Sequence, residues 1–212
     1  MSGLLQKDIC ILKQRGRGIA LILVIGVIMA LSSEGTFVIG YLTMLSAILT
    51  ISTVSYDEFD NGFAFLLTLP FTKKQYVIEK YLFCLSGCIL GCVVSVVICA
   101  VGMIAKGKVF SFNIIEEAVI FIPIFAIMLS VMLPVQLKYG AEKSRLIVGG
   151  FLGAAFVIGY MVKNLIPKNM QFIKCLSEIS ETTVTIIIVV ISIVAIIISY
   201  ICSMHIMKKK EF

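Results

Sequence analysis

Long apolar runs broken by short charged stretches dominate this chain. Such runs occur at 18–33, 36–55, 81–105, 116–137, 146–163 and 183–204. A helix needs about 20 predominantly apolar residues to cross the hydrocarbon of a bilayer. The last run contains IIIVVISIVAIIIS, which does not alternate polar with apolar residues as a membrane-barrel strand would. The pattern predicts an all-α integral membrane protein with six transmembrane helices, one transmembrane domain over 1–212. No length is left for a separate soluble domain. The first run has a basic front of Lys13, Arg15 and Arg17. The following LSSEGTF offers no A-x-A-like cleavage site, so the run reads as a retained helix rather than a signal peptide.

The polar interruptions have patterns of their own. Residues 1–17 predict an N-terminal amphipathic interfacial helix. Leu5, Ile9 and Leu12 share one face, and Gln6, Lys7, Lys13, Gln14 and Arg17 share the other. A disordered basic tail is the competing reading. The stretch 56–80 is the longest charged interruption. On a helix, Phe59, Phe63, Leu66 and Leu67 fall on one side, and Asp57, Asp60, Asn61, Ala64 and Thr68 on the other. Pro70 should end that helix, because proline lacks the amide donor and clashes with the preceding turn. Helix connections usually run about 2–8 residues. This one runs far longer, which suggests a docking surface rather than a solvated loop. The other inner loop, 137–145, is short and hydrophilic, and it follows a run carrying Pro123 and Pro134, both expected kink points.

Composition fits this picture. The chain is 60% hydrophobic and 14% charged, against roughly 25% charged in average soluble domains. Six spans put both termini on one side. With the termini cytoplasmic, thirteen basic residues fall inside and five outside, as the positive-inside rule favours. The net charge of +6 then reads as attraction to anionic lipid, not to nucleic acid. There is no Trp, so an interfacial belt would rely on tyrosines such as Tyr41, Tyr81, Tyr139, Tyr160 and Tyr200. Most of the seven cysteines lie inside the runs, which argues against a disulfide framework.

Little in the sequence carries chemistry. Gly102 to Val109 matches GxxxxGK but ends in Val where Ser or Thr should meet magnesium. The chain therefore carries no ATPase of its own. Cys84, Cys88 and Cys92 recur every four residues beside Gly87 and Gly91, which reads as a close-packing face before a soft-metal row. Gly149, Gly150, Gly153 and Ala154 read as packing too. No metal site is expected. Acids and bases sit at run ends, so the spans are expected to bury no charge. An intramembrane enzyme or a proton-driven carrier lacks the groups it would need.

Two strings then resemble those of the permease subunits of type-2 ABC exporters. One runs from Asp57-Glu58 through Gly62 and Leu69-Pro70-Phe71-Thr72-Lys73-Lys74 to Lys80-Tyr81. The other is Leu133-Pro134-Val135-Gln136-Leu137-Lys138-Tyr139-Gly140-Ala141-Glu142-Lys143-Ser144-Arg145. The resemblance implies a half-transporter in the cell membrane. It pairs with a second permease half, the same or related, and with two copies of a separate ATP-binding subunit. ATP and magnesium are then held by that subunit, and no cofactor by this chain. The 56–75 segment would be the coupling helix, docking through Asp57, Glu58, Asp60, Asn61, Phe63, Leu66 and Pro70. Lys138, Gly140, Glu142, Lys143 and Arg145 would form the second cytoplasmic loop. Among small permeases, exporters of amphipathic peptides such as phenol-soluble modulins and bacteriocins are the most similar, with lipid-like cargo as the broader class. A membrane immunity protein that binds a toxic peptide, and a small channel without an ATPase, share the composition and stay open as alternatives.

Overall fold

The computed structural model describes residues 2–32, 35–58, 62, 71–107, 113–165 and 181–209. Among these residues every long element is an α-helix: α1 (Ser2–Gln14), α2 (Gly16–Ser32), α3 (Gly35–Glu58), α4 (Lys73–Ala105), α5 (Asn113–Leu165) and α6 (Glu181–Lys209). Among the described residues four stretches are long and apolar enough to cross a membrane alone: Phe37–Glu58, Lys73–Ala105, Ile114–Gly140 and Thr183–Lys209. α1 and α2 qualify only as a pair, bent by 66°. That makes up to five spans where the apolar pattern predicts six. The run at 146–163 is helical backbone in the second half of α5, where most side chains lie outside the described residues.

α4 begins eight residues before its apolar run, for a local reason. Thr72 caps it: its hydroxyl accepts from the Gln75 amide at 3.2 Å, and the Gln75 side chain accepts from the Thr72 amide at 2.9 Å. This capping box satisfies two of the amide donors a helix start leaves orphaned. At 33 residues and about 1.5 Å per residue, α4 outruns the ~30 Å hydrocarbon. Its first two turns therefore stand beyond the apolar run.

α5 corrects one expectation. Its backbone is helical on both sides of Gly140, Pro123 and Pro134 included, and breaks there, at φ 81 and ψ 173. That combination is open essentially only to glycine. The expected loop at 137–145 is therefore a one-residue kink between two helical halves.

Close approach of backbones sets the packing of α2, α3 and α4. Apolar side chains gain nothing by leaving lipid for one another, so tight van der Waals contact between small residues holds membrane helices together. A Cβ on Gly87 would collide with Thr50, and one on Gly91 with Ser46. One on Gly102 would stand 3.1 Å from the Ala30 Cβ. Gly102 is thus a packing residue, and the row of buried Cys84, Cys88 and Cys92 is a packing surface. Gly149, Gly150 and Gly153 differ: nothing stands within 4 Å of their added Cβ, so their small faces meet no other part of the described chain. α6 lies outermost, with Ile186, Ile197 and Ile201 exposed. It is tied in by Tyr81, whose hydroxyl bonds to Ser199 and, at 2.8 Å, to Ser203. Tyr81 is consequently a core residue, 6% exposed, and not part of an interfacial belt.

Candidate functional site

At the end of the bundle that carries α1, the ends of α3 and α4 come together around buried charge. Leu4 of α1 packs there with Val54, Tyr76, Leu137 and Met207. Beside them, Lys80 is fully buried. Its ammonium donates to Asp8 of α1 and to the Thr53 hydroxyl at 3.2 Å, and it lies 2.9 Å from Asp57 Oδ2. Lys7 closes the other side, with Nζ 2.5 Å from Asp57 Oδ1 and 3.3 Å from Asp8 Oδ1. The Tyr76 hydroxyl donates to Asp57 Oδ2 at 2.8 Å. Asp8 and Asp57 are themselves buried.

The cluster contradicts the expectation that no charge is buried. A buried ion costs several kcal/mol in lost hydration unless partners and hydrogen bonds offset it. Here they do: Asp57 receives Lys7, Lys80 and Tyr76, and Lys80 spreads its donors over Asp8, Asp57 and Thr53. Glu79 stands apart. It is 1% exposed, and neither carboxyl oxygen has a hydrogen-bond partner. Among the described residues no three His, Cys, Asp or Glu are placed to hold a metal ion.

The position of the cluster gives it a mechanical meaning. Asp57 is the penultimate residue of α3, and Tyr76 and Lys80 lie in the first two turns of α4. Between them runs the segment expected to be the coupling helix. Both stems of that segment are thus pinned to α1 and to each other. Gly62 leaves α3 against the Asp57 carbonyl, where an added Cβ would come within 2.8 Å of the oxygen. Asp60, Asn61, Phe63, Leu66 and Pro70 lie outside the described residues.

The other expected site residues gather at the same end. Glu58 abuts the Gly140 kink, with its Oε2 3.0 Å from where a Cβ would stand. One turn earlier, Gln136 donates to the Ser55 hydroxyl at 2.6 Å. The two polar interruptions, far apart in sequence, therefore meet through α3 and α5. Lys138, Glu142 and Lys143 are exposed beside them, and Arg145 continues the helix. On α1, the face turned into the bundle carries Leu4 and Asp8. Leu5 and Leu12 are half-buried at its edge, and Ile9 is 47% exposed. Asp57, expected to dock a partner, is buried here, its carboxylate bound by Lys7, Lys80 and Tyr76.

Sequence reading missed Lys80, Tyr76, Lys7 and Asp8 as site residues. Tyr76 and Lys80 are one helical turn apart, and the capping box before them signals a helix that starts early. No local pattern shows that Asp8 meets a lysine 72 positions away.

Comparison with known proteins bears on what this architecture serves. No curated protein and no solved structure matches the chain. The family model described as "ABC-2 family transporter protein" matches residues 3–208, which reaches all six described helices and both polar interruptions. The chain therefore belongs to the ABC-2 family of transporter proteins, the membrane permease component of an ABC transporter.

Proposed function

We propose that this chain is the permease half of an exporter that moves amphipathic peptides or lipid-like cargo out of the cell. A separate ATP-binding subunit, in two copies, powers it by docking on the 56–75 segment from the cytoplasm, and a second permease half completes the path. The observation that supports this reading most is the buried clasp of Lys7, Asp8, Asp57 and Lys80. A segment held at both stems by buried ion pairs passes a push on its middle to α3, α4 and α1 as one body. A loosely tethered loop would absorb the same push.

In this mechanism the chain performs no bond chemistry. Closure of the ATP-binding subunits displaces the segment through Glu58, Asp60 and Asn61. The clasp carries that displacement into α3 and α4, which the Gly87 and Gly91 contacts keep in register. Gly140, against Glu58, offers α5 a bending point in the same movement. The partner can shift the permease only by its difference in affinity for the two states. The apolar bundle suits cargo that is itself partly apolar.

The test is reconstitution of the chain with the ATP-binding subunit in proteoliposomes, following ATP hydrolysis as amphipathic peptides are added. Stimulated hydrolysis together with vesicle loading supports the reading. Loading without any ATP-binding subunit would point instead to a channel, and peptide binding with neither loading nor hydrolysis to an immunity protein.

A further inference from the structure

The clasp turns Asp8 of α1 inward, and this leaves the elbow between α1 and α2 with basic groups alone on its surface. Asp8, Asp57 and Glu79 are buried, whereas Lys13, Arg15 and Arg17 are exposed where α1 bends by 66° into α2. No acid is exposed on α1 or α2. Arg15 is held in place, its guanidinium 4.8 Å from the centre of the Tyr56 ring. Gly16 and Gly18 flank Arg17 with nothing within 4 Å of an added Cβ, so the backbone of the elbow is open to approach.

We propose that this elbow binds the phosphate headgroup of an anionic lipid, with Lys13, Arg15 and Arg17 as its cations. Guanidinium forks match phosphate oxygens in pairs. Apolar neighbours decide between a lipid and an acidic protein. Ile9 on one arm, and Leu21 and Val24 on the other, are exposed at 47%, 60% and 58%. A lipid satisfies both halves of the elbow, headgroup against the cations and acyl chain along α2. An acidic protein surface would satisfy only the charge. The bound lipid would fix the angle between α1 and α2, and with it the clasp.

The test starts with the full chain in bilayers of equal parts phosphatidylglycerol and phosphatidylcholine. The protein is extracted in mild detergent, and the lipid retained is measured by mass spectrometry. The wild type should retain phosphatidylglycerol in excess. A basic residue near an anionic membrane surface contributes about 1 kcal/mol, so each of Lys13→Gln, Arg15→Gln and Arg17→Gln should lower the enrichment about fivefold. Lys106→Gln, on the helix end opposite the clasp, should leave it unchanged. Should any of these variants not fold, raising salt on the wild type must lower the enrichment in the same way. Enrichment that survives the substitutions, that ignores salt, or that falls equally in Lys106→Gln overturns the proposal. Unchanged enrichment with lost binding of the ATP-binding subunit overturns it too, and assigns the elbow to a protein.

Discussion

Replacing Lys80 by alanine probes the clasp most severely. The side chain is fully buried and serves Asp8, Asp57 and Thr53 at once. Its loss leaves Asp8 and Asp57 sharing Lys7, which is 27% exposed, with unpartnered Glu79 close by. Removing one member of a buried ion pair costs about 3–5 kcal/mol, because the charge left behind is buried and uncompensated. For a chain of this size 1 kcal/mol shifts the melting temperature by about 2–4 °C, so Lys80→Ala should melt roughly 6–20 °C lower. Asp8→Asn should cost less, about 1–3 kcal/mol, since Lys80 keeps Asp57 at 2.9 Å. In a double-mutant cycle the pair should couple by about 0.5–3 kcal/mol. Thermal unfolding in one detergent, read by circular dichroism, measures all three variants. A Lys80→Ala variant within about 1 kcal/mol of wild type, or a cycle with no coupling, would refute the buried clasp.

Other perturbations separate the parts. Glu79→Gln keeps the shape and removes a buried carboxylate without partners, so its melting temperature should match or exceed that of wild type. Gly140→Ala forces a side chain into a glycine-only conformation against Glu58. It should lower stability by about 1–3 kcal/mol in the same unfolding assay. Gly91→Ala drives a methyl into Ser46 and should cost about 1–3 kcal/mol through overpacking, with partial recovery in Gly91→Ala plus Ser46→Gly. Thr72→Ala removes the cap of α4 and should cost about 0.5–2 kcal/mol, seen as faster amide hydrogen exchange over 73–76.

What was legible in the sequence divides along physical lines. The apolar runs located the helices because lipid demands an uninterrupted apolar stretch, and that demand is local. The start of α4 is written in Thr72 and Gln75, but Lys73 and Lys74 between them, with Glu79 and Lys80 beyond, keep it outside the apolar run. The break at Gly140 has no signal beyond the glycine itself, because a glycine in an apolar run is as often a packing residue as a site of positive φ. The buried charges were least legible. A lysine at the end of an apolar run reads as a surface residue unless its counter-ions are known, and here they come from α1 and from the end of α3. Under the proposed function, burial of Asp57 leaves docking to Glu58, Asp60 and Asn61.

The claim that energy enters through the 56–75 segment can be tested by a photo-activated cross-linking residue placed singly at Asp60, Lys74 and Lys106 in the reconstituted transporter. The account predicts covalent adducts with the ATP-binding subunit from positions 60 and 74, changing in yield when ATP is bound, and none from 106. Adducts absent at 60 and 74, or equally strong at 106, would contradict it.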